Sequence, residues 1–273
     1  MDISILLCLI LAHVTADFLL QREAIIDLRF HSRRKTRFCG NALHAGIYFC
    51  LSFAFTLPWF SLPLMGTVGL AAIIHLIIDM TKSELVMMNP ERRHHLWLFL
   101  GDQTVHLICL FILWVVLVKG DMQGLLRFLE RYAICADITA PKILLILLLF
   151  VVGIWGVGHF IKIYSSWLRY CAQKRESKEG KEREAVLENE VQKGVYEGGF
   201  MIGLLERAFI IISLAYGLPN EVIGFALATK SIARFKRFDD DTFVEYFIIG
   251  TFISFISAII VGMLILKILH SPT

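Results

Sequence analysis

Charge is what this sequence is short of. Asp, Glu, Lys and Arg make up 19% of the 273 residues, while 57% are hydrophobic. Soluble domains carry about 25% charged residues. A soluble domain of this length cannot hide so much apolar side chain, and a disordered chain, a collagen or a coiled coil is excluded by the same numbers. The six cysteines are scattered: Cys8, Cys39, Cys50, Cys109, Cys135 and Cys171 form no CxxC pair, which argues against a disulfide framework or a zinc ribbon. No P-loop, GxSxG, HExxH or dinucleotide fingerprint is present. The first apolar run lacks the basic start of a signal peptide, with Asp2 in its place, and is expected to remain as a span. What is left is an all-α, polytopic transmembrane helical bundle.

Windows of about 20 mainly apolar residues predict eight spans, roughly 3–21, 42–60, 64–81, 95–118, 141–163, 199–217, 221–235 and 245–267. The seventh is the shortest and carries Lys230 near its end, so a re-entrant helix is its alternative. Lys and Arg concentrate after spans one (Arg22, Arg29, Arg33, Arg34, Lys35, Arg37), three (Lys82, Arg92, Arg93), five and seven (Arg234, Lys236, Arg237). The connections Pro58–Pro63 and Gly217–Glu221 carry no base. The positive-inside rule then puts both termini outside, in a multi-pass protein of the cell inner membrane. The same rule explains the basic stretch 29–37, and no nucleic-acid partner is expected. Residues 169–193 mix bases and acids at helical spacings such as Arg175/Glu179, as a solvated helical connector does; a docking segment for a cytoplasmic protein partner is the alternative. The expected organisation is a five-span domain (1–168), a charged connector (169–197) and a three-span domain (198–273).

Ionisable residues inside spans are expensive and point to function. His13 and Asp17 stand four apart, as do His75 and Asp79; Asp102 and His106 reverse the order, and His44 opens the second span. That spacing puts both side chains on one helical face, where they can share a metal ion or pair so that the carboxylate orients the imidazole. With alternating span directions, all seven fall in the cytoplasmic half of the membrane. They are the expected donors for a divalent metal, zinc in first place and manganese or iron as alternatives, with Asp17, Asp79 and Asp102 as candidate catalytic carboxylates. A structural hydrogen-bond network is the competing reading. Gln21 either binds a ligand or caps its helix.

The last three spans carry a second polar layer: Glu206 and Arg207, then Lys230, Ser231 and Arg234, then Glu245. Mutual salt bridges explain these residues, since unpaired charges are not tolerated at this depth. The functional alternative is an anion clamp for the head group of a membrane lipid or lipid-like substrate.

The run Leu11-Ala12-His13-Val14-Thr15-Ala16-Asp17-Phe18-Leu19-Leu20-Gln21, with His44, His75-Leu-Ile-Ile-Asp79, and Asp102-Gln103 with His106, resembles the domain-of-unknown-function 3307 family of bacterial integral membrane proteins over about the first 120 residues. Segments around Gly203–Arg207, Ala228–Phe235 and Glu245–Thr251 look like the C-terminal portion of longer members. A looser similarity, by residue type, exists to membrane-bound metal-dependent hydrolases. It implies a metal site and hydrolytic chemistry.

Three functions compete. A metal-dependent hydrolase would use the His/Asp cluster to acidify a water that attacks an ester or phosphoester. A metal or proton transporter would use the same residues as a relay, but the sites lie on one side and no inverted pair of broken helices recurs. A membrane sensor or scaffold would use the polar layers structurally and the connector for docking.

Overall fold

A computed structural model describes residues 2–90, 95–131, 139–178, 189–218 and 241–269, with Gly224 and Ala228. Every element among the described residues is helical. The chain divides into two compact units, Met1–Val151 and Val152–His270.

In the first unit, α1 (Asp2–Val14) is apolar on nearly all sides and takes the middle position, packed on α3 (Arg34–Thr56), α5 (Leu96–Val116) and α7 (Ala140–Val151). A helix apolar all round belongs in such a place. Its Leu9 and Ala12 expose no surface, and they join Tyr48, Val68, Ala71 and Leu110 in one core. After Val14 the chain makes a π-helical turn, Thr15–Leu19. It then bends by 95° into the short α2 (Glu23–Arg29). The stretch expected as a basic loop is therefore mostly helix. Two of its bases, Arg29 and Arg37, are buried.

α2 lies against α3 at Gly40, where a Cβ would come within 2.6 Å of the Leu28 carbonyl carbon. Only a glycine allows backbones so close. α4 (Leu62–Met88) is started by Ser61, whose hydroxyl accepts from the Leu64 N–H (3.3 Å), with Pro63 in the first turn. Both are helix-start devices. α6 (Met122–Arg131) follows α5.

These helices are inside out by the standards of a soluble protein. Along α3, Arg37, Asn41, His44, Tyr48, Ser52 and Thr56 follow one another at spacings of three or four, and all are buried. Along α4, Thr67, Ala71, His75, Asp79 and Ser83 do the same at spacings of four. The opposite faces are apolar and exposed, as at Leu43 (51%), Ile73 (56%) and Ile77 (58%). Polar groups facing inward and Leu and Ile facing outward fit a lipid solvent. Six described helices are long and apolar enough to cross a membrane, or seven if Ile3–Leu19 and Glu23–Arg29 form one bent span. The protein is a multi-pass helical bundle. Of the expected span 221–235, only Gly224 and Ala228 are among the described residues.

The second unit holds a π-helical turn (Val152–Gly156), α8 (Val157–Lys178), α9 (Asn189–Ala215) and α10 (Asp241–Leu269). α9 and α10 pack closely through small residues: a Cβ on Gly262 would lie 2.8 Å from the Leu214 side chain. Such glycines are how lipid-embedded helices approach. α9 stops at Gly217 (φ +65°), with Gly217 N–H donating to Leu214 O and Leu218 N–H to Ser213 O. That is the paired bonding of a Schellman end, which asks for a left-handed residue.

Candidate metal centre

The polar faces of α1, α3, α4 and α5 meet in the first unit. His13, Asp17, His44, His75, Asp79, Asp102 and His106 come together there, none more than 7% exposed. The four imidazoles form one group: ring centres are 4.7 Å apart for His13–His106, 4.4 Å for His75–His106, 5.3 Å for His13–His75 and 5.1 Å for His44–His75. Tyr48 stacks on His75 at 4.6 Å. The single layer expected from alternating span directions is thus a single cluster.

Asp17 is its hub. Its Oδ1 lies 3.1 Å from His44 Nε2, 3.6 Å from His75 Nε2 and 3.7 Å from His13 Nδ1. Its Oδ2 accepts from Gln103 Nε2 at 3.0 Å. A tetrahedral zinc with ligands near 2.1 Å has donor atoms about 3.4 Å apart, so these separations match the edges of a coordination polyhedron. Three donor groups have all their ligand atoms within 4.8 Å of one another: His13/His75/His106, Asp17/His44/His75 and Asp79/Asp102/His106.

The ring nitrogens support the first of these. His106 Nδ1 is 2.9 Å from the Asp102 main-chain oxygen. A carbonyl only accepts, so the ring carries its proton there and Nε2 is left with a lone pair, the tautomer that metal-binding histidines are held in. His106 Nε2, His75 Nε2 and both nitrogens of His13 are buried without a hydrogen bond of good geometry. Orphaned polar atoms cost about 1–3 kcal/mol each, and a shared cation removes that cost.

The other two carboxylates also carry ion pairs. Asp79 Oδ1 is ion-paired with Arg29 Nη2, and Asp79 Oδ2 lies 3.3 Å from His75 Nε2. Asp102 Oδ2 receives Lys82 Nζ at 2.6 Å and Gln103 Nε2 at 3.2 Å. Asp17 is the one carboxylate of the three with no Lys or Arg ion pair among the described residues. With the imidazoles neutral, three carboxylates against Arg29 and Lys82 leave one negative charge for a cation to meet.

Sequence reasoning gave no site role to Arg29, Lys82, Gln103 or Asn41. Arg29 Nε donates to Asn41 Oδ1 (3.0 Å), and Asn41 Nδ2 donates to Arg37 O (2.9 Å) and Ser83 Oγ (3.1 Å). Gln21, with its amide turned to suit its neighbours, donates to the Asp17 carbonyl at 2.9 Å and accepts from Arg29. It braces the bend rather than reaching the cluster. The signal for Asn41 was its place on the polar stripe of α3; Arg29 gave none, because a base in a loop reads equally well as topology.

The second polar layer is only partly described. Arg207 is buried, its Nε donating to Ile154 O (2.9 Å) and its Nη1 to Ser254 Oγ (3.0 Å). That carbonyl belongs to the π-helical turn. Glu206 is half-buried beside it. Lys230, Ser231 and Arg234 lie outside the described residues, as does the side chain of Glu245, whose backbone belongs to α10. The centre of the charged connector, 179–188, is outside them as well.

Residues 5–132 match the family model described as "Protein of unknown function (DUF3307)". That match spans the whole cluster, from His13 to His106. No curated protein and no solved structure matches the chain.

Proposed function

The chain belongs to the DUF3307 family through residues 5–132, and from that premise we propose that it is an inner-membrane protein with a buried divalent-metal centre, working as a metal-dependent hydrolase on a lipid-like ester or phosphoester. The observation that carries the reading is the grouping of His13, His75 and His106, whose ligand atoms lie within 4.8 Å of one another and include buried ring nitrogens without a hydrogen bond of good geometry, next to the Asp17 carboxylate. Three imidazoles are a common donor set for catalytic zinc and leave a coordination position open. A bound divalent ion supplies an acidified water at neutral pH. Asp17, oriented by His44 and Gln103, is the group placed to take its proton. Arg29 and Lys82 neutralise Asp79 and Asp102, so the surplus charge of the site belongs to Asp17. A substrate that partitions into the bilayer suits a centre enclosed by membrane helices. Zinc fits the donors best; manganese and iron are the alternatives.

The test is elemental analysis of detergent-purified protein, beside His75→Ala and Asp17→Asn, together with turnover of micellar ester and phosphoester substrates. Stoichiometric metal in the wild type, lost in His75→Ala, with turnover that follows metal content, supports the reading. Protein that purifies metal-free and takes up no zinc, manganese or iron on titration overturns it.

The second reading is a sensor or scaffold in which the cluster locks helices together. Two ion pairs that already neutralise Asp79 and Asp102 favour it. It predicts a metal-free protein whose stability, rather than turnover, falls with each cluster substitution.

A further inference from the structure

On α3 and α4, Arg34, Lys35, Phe38, Cys39 and Met80, none of them a member of the His/Asp cluster, line an open groove of about 580 Å³. Its make-up is layered. Arg34 and Lys35 stand at the first turn of α3, both exposed, while Phe38 (51% exposed) and Cys39 lie one turn further along, and Met80 faces them from α4. α3 runs from Arg34 to Thr56, about 34 Å at 1.5 Å per residue. That length roughly equals a bilayer's apolar thickness. The bases of its first turn suit the headgroup level, and the apolar side chains of the next turn suit the start of the acyl chains.

The charge is in excess. The nearby acid is Glu84, and Arg37 already holds both its oxygens at 2.9 Å. Arg34 Nε stays 3.8 Å from Glu84, with its side chain 85% exposed. Two cations above an apolar floor match a phosphate above an acyl chain.

We propose that this groove is a binding site for an anionic phospholipid of the adjoining leaflet. The phosphate sits between Arg34 and Lys35, and the proximal acyl chain lies along Phe38, Cys39 and Met80. A guanidinium and an ammonium provide the donors that phosphate oxygens take, and basic residues at the membrane surface favour anionic lipid. The inference does not rest on the metal reading, because none of the five residues belongs to the cluster.

The experiment compares phosphatidylglycerol with phosphatidylcholine, each titrated into the full-length protein in detergent and read by native mass spectrometry. The variants are Arg34→Gln/Lys35→Gln, Phe38→Ala, and Lys35→Gln alone in case the double variant fails to fold. The wild type should prefer phosphatidylglycerol. The double variant should bind it on the order of tenfold more weakly, Lys35→Gln severalfold more weakly, and Phe38→Ala should bind both lipids less well. An unchanged preference in the charge variants overturns the proposal. So does unchanged binding in Phe38→Ala, which means diffuse surface charge without a groove. Competition by inorganic phosphate at the lipid's own concentration overturns it too, since the apolar floor then contributes nothing. Metal content, measured on the same samples, should not move.

Discussion

Arg29, the last residue of α2, pairs with Asp79 in the C-terminal half of α4: Nη2 lies 2.5 Å from Oδ1, and the two side chains are 2% and 0% exposed. Neither charge has water to fall back on. Breaking a buried pair by removing one partner costs about 3–5 kcal/mol, because the remaining charge is stranded. Arg29→Gln and Asp79→Asn should each lower stability by roughly that amount in thermal or denaturant unfolding of the detergent-solubilised protein. The double variant should lose much less than the sum. Additive losses would mean that the two residues act separately.

That pair also marks the limit of what the sequence discloses. Hydropathy finds long apolar spans because a bilayer imposes one length on all of them. The spacing of His13/Asp17, His75/Asp79 and Asp102/His106 finds the cluster because an α-helix repeats every 3.6 residues. Neither rule reaches Arg29. It lies beyond a bend made by a π-helical turn with no proline or glycine in Thr15–Leu19, so nothing local announces that the chain turns back. Lys82 was hidden for a related reason: at the end of an apolar run it looks like a topology signal, and only the packing of α4 on α5 shows that it meets Asp102. Arg37, Asn41, Tyr48 and Ser52 were legible in principle, as a polar stripe on a transmembrane helix in register with His44.

The Lys82–Asp102 pair is short, at 2.6 Å, but its lysine is 21% exposed. Partial access to solvent softens the loss of either partner. Lys82→Gln should therefore destabilise less than Arg29→Gln, by about 1–2 kcal/mol. Equal effects in the same unfolding assay would contradict the ranking by burial.

If His106 ligates a metal, adding zinc to metal-stripped protein should raise its melting temperature. Ligand at a hundredfold excess over Kd stabilises the folded state by about 2.7 kcal/mol. His106→Ala should flatten that response. His95→Ala, at the start of α5 and outside the cluster, should leave it intact. A zinc response that survives in His106→Ala would remove this residue from the donor set.

Gly40 and Gly46 lie on the same helix and should respond in opposite ways to alanine. At Gly40 the new methyl would collide with the backbone of Leu28 and Arg29, whereas at Gly46 nothing lies within 4 Å. Gly40→Ala should push α2 off α3, at a cost of about 1–3 kcal/mol, and increase proteolysis within residues 20–30. Gly46→Ala should be neutral or mildly stabilising, by up to about 1 kcal/mol, because it improves helix propensity. Similar behaviour of the two variants would show that α2 does not depend on this close approach.

Arg207 decides between a clamp and a brace in the second unit. Its guanidinium is buried and spends two groups on Ile154 O and Ser254 Oγ. Nη2 lies so close to Gly158 that a Cβ there would come within 2.6 Å of it. A side chain packed this tightly has little room to receive a head group. Arg207→Met should leave the Ile154 carbonyl unsatisfied and cost about 1–3 kcal/mol. Gly158→Ala should reproduce part of the loss by displacing the guanidinium. Neither should change zinc stoichiometry, since every proposed donor lies in the first unit. An anion clamp predicts the reverse pattern for Arg207→Met: full stability, with hydrolysis lost through a raised KM. Unfolding and steady-state kinetics on that one variant separate the two roles.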